Sequence, residues 1–283
     1  MQTLRVLRAA SGGPQNMFFD AIHLSIKTFS RSAGQSAVAA AAYRAGVEIT
    51  DQRTGVVHDY TRKAGVIDSR IIVPDGCDWA RDRAALWNAA EVINRRVNST
   101  VAREYEIALP HELDADARAA LALQFARLVS DRYDVAADVS LNEPSRDGDK
   151  RNFHAHILTT THSVTADGWG GKTRILDSAK TGAGEITKLR ETFAAMCNAA
   201  LQTADISRRM TAESNAAQAA RLRAETTALS KAGKWKDAAI AETLADAVEA
   251  KPTPVHLGAH AAAVERKAQR RAKRTGRAYV PVT

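Results

Sequence analysis

Two histidines, His154 and His156, stand two residues apart in the β-prone segment NFHAHILTTT at 152–161. On a strand, side chains two apart share a face, so the imidazoles sit side by side, about 6–7 Å apart. Such a pair can grip a metal ion if a third ligand arrives from a neighbouring strand. Phe153, Ala155 and Ile157 then point to the opposite face and read as core. If AADVSLN at 136–142 pairs antiparallel with this strand, Asn142 and Asp138 fall beside the histidines. No cysteine lies nearby, which argues against a structural zinc site. Two imidazoles plus an amide or carboxylate oxygen suit Mg, Mn or another divalent ion that also holds waters and phosphate oxygens. A bare His-X-His also fits two histidines that merely face solvent, and the pattern alone leaves both readings open.

A second constellation could supply a nucleophile. Among the five tyrosines, Tyr43 sits near the end of an alanine-lined helix with Arg44 beside it. A phenol has a reference pKa of about 10, so it attacks phosphorus only where a cation or base favours the phenolate. A metal ion that neutralises a phosphate would assist both reactants. The competing reading is a tyrosine packed in the core. The alanines, for their part, would let another surface, protein or DNA, approach closely. Tyr60, in HDYTRK, also stands among cations and is the second candidate. Glu104 and Glu106 fall on one face of a strand at 104–110, with Tyr105 and Ile107 on the other. Either glutamate could serve as a base, although paired glutamates on a strand also fit a solvent-facing edge.

These residues need elements to hold them. IHLSIKT at 22–28 alternates as a strand. Ser36, then AVAAAAYRA, then Gly46 gives a polar N-cap, strong helix formers and a glycine stop, hence a short helix. VEIT and VVHDY flank DQRTG as a β-hairpin, and 71–73 reads as a further short strand closed by Pro74. Apolar spacing over 79–97 and 114–131 predicts two amphipathic helices. The strands at 136–142 and 152–161 are joined by the long charged loop EPSRDGDKR. From about 184 the chain reads as helical and alanine-rich, and Pro252 and Pro254 mark a boundary. Sequential hairpins with intervening helices argue an α+β fold, one central antiparallel sheet with helices packed on one face.

Composition narrows the function classes. The 283 residues hold 40 Lys+Arg against 32 Asp+Glu, and the sequence pI is about 9.6. No run of eighteen apolar residues occurs, so no membrane insertion is expected. Two cysteines cannot build a disulfide framework, which fits a reducing cytoplasmic setting. Residues 1–200 carry 25 basic and 24 acidic side chains, while residues 251–283 carry 8 and 1. The surplus therefore sits in the tail, around ERKAQRRAKRTGR at 265–277, as a solvated helix face or an arm for a polyanion. Three segments are expected: an N-terminal extension at 1–20, a main α+β domain at 21–203 and a helical, basic extension at 204–283.

Taken together, IHLSIKTFSRSAGQSAVAAAAYRAG, DQRTGVVHDYTRKAGV, VAREYEIALPHEL and GDKRNFHAHILTTT resemble, in order, the MobA/MobL family of plasmid mobilisation relaxases. The resemblance implies a His-hydrophobic-His endonuclease fold. It also implies a DNA endonuclease that nicks one strand at a transfer origin, keeps the 5′ end as a phosphotyrosine and later rejoins it. Carried over by motif, Tyr43 is the nucleophile, and His154 and His156 are ligands of a divalent metal, Mg or Mn. Glu104 takes a base or metal-shell position, with Glu112 a weaker candidate. Lys27, Arg31 and Arg44 would hold DNA phosphates. Relatives usually have histidine where this chain has Asn142, so the third metal ligand becomes a neutral amide, and Asp138 on the same face could compensate. The partners implied are single-stranded or hairpin DNA at the origin, other relaxosome proteins and a coupling protein. No Walker-type motif occurs, so unwinding falls to another protein. Two other readings stay open: a weakened homologue acting as a DNA-binding accessory, and a rolling-circle replication initiator. In most such initiators the tyrosine follows the histidines, the reverse of the order here.

Overall fold

The computed structural model describes residues 19–146, 148–178, 180–251, 259–276 and 278–279. Most of the expected N-terminal extension and the Pro252/Pro254 boundary lie outside the described residues. The chain forms two compact units, the first ending at Ser214 and the second beginning at Asn215.

The first unit is organised by a five-stranded antiparallel sheet built from β2 (Leu24–Ser30), β5 (Val66–Ile72), β6 (Thr100–Ala108), β7 (Ala137–Asn142) and β8 (His154–Thr159). Their order across the sheet is β2-β6-β8-β7-β5. The strand that carries the histidines is therefore central, which fixes its register from both sides. His156 faces Glu106 on β6 and Ser140 on β7, while His154 faces Ala108 and Asn142.

Both faces of the sheet are covered. One face presents Tyr105, Ile107, Ala155, Ile157, Val139 and Leu141 to α3 (Ala115–Tyr133) and α4 (Gly182–Thr203), with Phe125 and Phe193 fully buried between them. The other face carries the polar residues of the site and packs in part against α1 (Ala37–Ala45) and α2 (Arg83–Ile93) through Ala41, Leu86, Trp87 and Leu158. The sequence reading of helices on one face is thus corrected. Asp138, Ser140 and Asn142 form a polar row on the histidine face, and all six residues of β7 are buried. Helix α2 closes over that row because Arg83 and the Trp87 indole both hydrogen-bond Asp138. Polar partners let a sheet bury a face that its side-chain pattern would leave in water.

Helix α1 follows its sequence signals closely. The Ser36 side chain accepts from the Ala39 amide, and Gly46 closes the helix at φ +66°. A left-handed residue is required there to turn the chain into β3 (Glu48–Asp51), which pairs with β4 (Val56–Asp59). The alanines do not wait for a partner molecule: Ala37, Ala40, Ala41, Ala42 and Ala45 are buried within the chain's own core. A second hairpin, β9 (His162–Thr165) with β10 (Gly168–Lys172), follows β8. Strand β1 (Asp20–Ala21) pairs parallel with β11 (Met210–Thr211), which ties the chain beyond α4 to the first unit.

The second unit contains a helical hairpin, α5 (Asn215–Lys231) and α6 (Trp235–Glu249), whose turn places Gly233 at φ +73°. Arg223 joins the two helices through Glu242, Asp246 and Glu249. The basic tail forms α7 (Ala259–Thr275). No described helix is long and apolar enough to cross a membrane.

Candidate active site and metal centre

Helix α1 delivers Tyr43 to the surface near the histidine face of the sheet. Its side chain is 47% exposed, so this is not a core tyrosine. The Tyr60 ring meets it edge-on, with centroids 5.2 Å apart. Lys63 lies above the Tyr43 ring, its Nζ 4.3 Å from the centroid, and donates a hydrogen bond to the Tyr43 carbonyl at 2.8 Å. Burial lowers the Lys63 pKa, and Arg44 nearby lowers it further, against the opposing pull of Glu104. A cation held against a phenol ring stabilises the phenolate over the phenol. Lys63 went unremarked as a site residue in the sequence. Its position in HDYTRK among cations was the only signal.

From Tyr43 a chain of charged contacts leads to the histidines. The neighbouring Arg44 grips Glu104 with two donors, Nε to one carboxylate oxygen and Nη2 to the other at 2.9 Å. Glu104 in turn accepts from His156 Nδ1 at 2.8 Å. Burial alone would raise the Glu104 pKa, but the hydrogen bonds from His156 and Arg44 override it and bring it to about 2. Glu104 is only 1% exposed, so the strand pattern that suggests a solvated glutamate misleads here. An ionised carboxylate fixes the proton of neutral His156 on Nδ1 and leaves the Nε2 lone pair open. His154 is oriented the same way, since its Nδ1 bonds the Asn152 carbonyl at 2.9 Å. The two rings stand 5.2 Å apart. Burial holds the His154 pKa below its ordinary value, which favours the neutral ligand form. Metal-binding histidines characteristically donate their second nitrogen to a carboxylate or a backbone carbonyl.

The remaining donors divide between two sides. Asn142, directly across from His154, is buried and donates its amide to the Ser140 carbonyl at 3.1 Å. Its side-chain oxygen accepts no hydrogen bond from the described residues and can serve as a neutral ligand. The Ser140 hydroxyl, across from His156, is buried with no hydrogen-bond partner among the described residues. On the β6 side, Glu104, Glu106 and His156 bring ligand atoms within 4.8 Å of one another. Glu106 is paired with Lys27 at 2.7 Å, and this ammonium keeps its pKa below the ordinary value despite burial. His154 stands outside that converging group, while imidazole, amide and carboxylate are the ligand types that suit a divalent cation. Glu104, held by Arg44 and His156, is arranged to orient rather than to ligate.

The other expected residues are held by carboxylates or other partners. Arg31 points to Glu91, donating to its carboxylate at 2.6 Å. Glu91 is 1% exposed and also accepts from the Ala37 amide at 2.6 Å, so this pair anchors the start of helix α1. Arg44 is likewise committed to Glu104, and Lys27 to Glu106. Glu112 pairs with Arg208 at 2.6 Å. Asp138 belongs to Arg83 and Trp87 and is not placed to substitute for Asn142.

Comparison with known proteins puts this geometry in context. A protein-family model for the MobA/MobL family matches residues 35–234. The mobilization protein MobL of Acidithiobacillus ferridurans is 45% identical over 206 residues, 64% of this chain and 54% of that protein. The probable mobilization protein MobA of Bifidobacterium longum is 32% identical over 153 residues, 52% of this chain and 26% of that protein. The chain spans about half the length of the first of these relatives and about a quarter of the second. A solved structure concerned with vancomycin resistance transfer in Staphylococcus aureus superposes with a TM-score of 0.60 at 28% identity, covering 69% of this chain and 99% of that one. The sheet that pairs two oriented histidines beside a tyrosine-bearing helix is thus found in a chain that belongs to the MobA/MobL family.

Proposed function

We propose that the chain is the nicking and rejoining module of a plasmid mobilisation relaxase, a site-specific DNA strand transferase acting through tyrosine. The observation that carries this reading is the link from helix α1 to the histidine strand through Arg44, Glu104 and His156. It couples an exposed tyrosine to two imidazoles that are each held with Nε2 available. Such an arrangement is what a phosphoryl transfer to tyrosine needs.

Tyr43 Oη gives its proton to water as it attacks the scissile phosphorus, with Lys63 stabilising the negative oxygen. The new Oη–P bond replaces the P–O3′ bond, and the leaving 3′ oxygen takes a proton from water. The 5′ end stays on the protein as a phosphotyrosyl ester. The reverse attack by a 3′-hydroxyl restores the strand with no nucleotide consumed, since one phosphodiester is exchanged for another. His154 and His156, with Asn142 and Glu106 as further donors, would hold a divalent ion, Mg or Mn. When bound, that ion supplies charge neutralisation of the phosphate and of the leaving oxygen. Arg44 and Glu104 position His156 and keep its proton on Nδ1. The substrate on this reading is single-stranded DNA beside a hairpin at a transfer origin, handled in the cytoplasm with other relaxosome proteins and a coupling protein.

The Asn142 amide favours one second reading, a weakened relaxase that serves as a DNA-binding accessory, because an amide brings no charge to the metal. Both readings are tested with a labelled oligonucleotide spanning the nick region of the replicon that encodes the chain, incubated with Mn and run on a denaturing gel. A covalent adduct with the native chain supports the relaxase. An adduct that appears only with Asn142→His supports the accessory reading. The absence of any adduct in both overturns the proposed chemistry.

A further inference from the structure

Tyr43 lies near the end of α1 with its side chain 47% exposed. A tyrosine on a helix has two rotamers open to it, χ1 near 180° and near −60°, and they carry the hydroxyl to different places. A nucleophile free to exchange between them is misplaced for part of the time, which slows its in-line attack. The segment that joins β4 to β5 removes this freedom. Tyr60 sets its ring against that of Tyr43 at 88°, with centroids 5.2 Å apart. Lys63, three residues on, adds its ammonium over the ring and its hydrogen bond to the Tyr43 carbonyl.

The segment is itself held at both ends. Asp59 Oδ1 accepts from the Thr61 amide at 2.9 Å and from the Thr61 hydroxyl at 2.7 Å. The Tyr60 amide donates to the Val47 carbonyl at 3.2 Å, just beyond α1, and the Lys63 amide donates to the Tyr60 carbonyl at 2.9 Å. At the far end the Gly65 carbonyl accepts from the Glu143 amide at 2.9 Å, one residue past Asn142. One short strap therefore touches the nucleophile at one end and the chain leaving β7 at the other. The Tyr60 ring is half-buried against the core that α1 and α2 share, so it is fixed where the Tyr43 ring is exposed. The Tyr60 hydroxyl makes no hydrogen bond with a described residue, so what Tyr60 offers is its ring.

We propose that Tyr60 is a positioning residue, a fixed aromatic seat that with Lys63 selects one rotamer of Tyr43 and so places its Oη. The inference rests on the reading of Tyr43 as the nucleophile. It gives Tyr60 a task that needs the ring and not the phenol, which sets this role apart from that of a second nucleophile. An edge-to-face ring pair shifts an equilibrium by about two- to tenfold. A cation over a ring adds about two- to fivefold. Either factor is small beside a whole rate enhancement, as suits a residue that orients the attacking group without touching the phosphate. The seat is formed before any DNA arrives, so its loss lowers the rate at saturation and leaves affinity alone.

The test compares the full chain with its Tyr60→Leu and Tyr60→Phe variants, and urea unfolding checks that both fold. Leucine keeps apolar bulk on the core and removes the ring, whereas phenylalanine keeps the ring and removes the hydroxyl. Single-turnover adduct formation is followed on a denaturing gel, with Mn, against the concentration of the nick-region oligonucleotide. Tyr60→Leu should be slower at saturation by about three- to tenfold, with its half-saturating concentration unchanged within about twofold. Tyr60→Phe should match the native rate within about twofold. A Tyr60→Leu rate equal to the native one overturns the proposal, and so does an equal loss in Tyr60→Phe or a change confined to the half-saturating concentration. The seat is also read without DNA, by NMR of the chain labelled with 13C-tyrosine, the Tyr43 ring signals being assigned by their loss in Tyr43→Phe. Their displacement by the Tyr60 ring current should persist in Tyr60→Phe and vanish in Tyr60→Leu. If none of the proteins forms an adduct, the relaxase reading falls and the NMR signals still decide whether the seat exists. Adduct formation with Tyr43 signals that do not move in Tyr60→Leu removes only the seat.

Discussion

Replacing Glu104 with glutamine keeps the shape of the side chain and removes its charge. The ordinary carboxyl value of 4.5 is brought down to about 2 in the folded chain. That difference of about 2.5 pH units, at 1.36 kcal/mol per unit, corresponds to about 3 kcal/mol of folding stability contributed by the ionised form. Because the folded value lies below the unfolded one, the contribution is complete above about pH 5 and is lost as pH falls toward 2. At pH 3 the same two values leave a little over 1 kcal/mol. The figure agrees with the general cost of removing one partner from a buried pair, about 3–5 kcal/mol, here leaving Arg44 with 15% exposure and no carboxylate. Urea unfolding with a chelator present, followed by tryptophan fluorescence, measures it. Three of the four tryptophans, Trp79, Trp87 and Trp169, lie in the unit that contains Glu104. Glu104→Gln should be less stable than the native chain by about 3 kcal/mol at pH 7 and by less than half of that at pH 3. A gap below about 1 kcal/mol at pH 7, or one that does not narrow in acid, would refute the Arg44–Glu104–His156 relay.

Further outcomes follow from the same geometry. Lys63→Met removes the cation over the Tyr43 ring, so adduct formation at pH 7 should slow by roughly tenfold or more in the denaturing-gel assay. Asn142→His adds an imidazole across from His154 and should tighten divalent metal binding by about tenfold in calorimetry. Glu91→Gln leaves Arg31 half-matched and the Ala37 amide with a weaker acceptor, and should lower stability by about 3 kcal/mol in urea.

Much of this fold could be read from local chemistry. Ser36 and Gly46 bracket helix α1 as caps, and the period-two alternation around His154 and His156 assigns one face to the site and one to the core. The antiparallel register that places Asn142 across from His154 follows from pairing the two strands around a charged loop. What could not be read depends on contacts distant in sequence. Glu104 looks like a surface glutamate until Arg44, sixty residues earlier, and His156, fifty-two later, close on it. Arg31 looks like a DNA-facing cation, and only the fold shows that Glu91 claims it. Lys63 lies twenty residues from Tyr43, and no periodicity links the two. The β9–β10 hairpin was also not apparent, because TADGWGG is rich in glycine and its pairing is irregular.

The central claim is that Tyr43 carries the cleaved strand. Tryptic digestion separates the two candidate nucleophiles cleanly: Tyr43 falls in the peptide ending at Arg44, and Tyr60 in the peptide ending at Arg62. After reaction with a nick-region oligonucleotide and Mn, nuclease trimming and mass spectrometry identify the tyrosine bearing the nucleotide. The added phosphonucleotide mass should appear on the Tyr43 peptide, and Tyr43→Phe should abolish it while Tyr60→Phe retains it. The same mass on the Tyr60 peptide, or an adduct that survives Tyr43→Phe, would contradict the account.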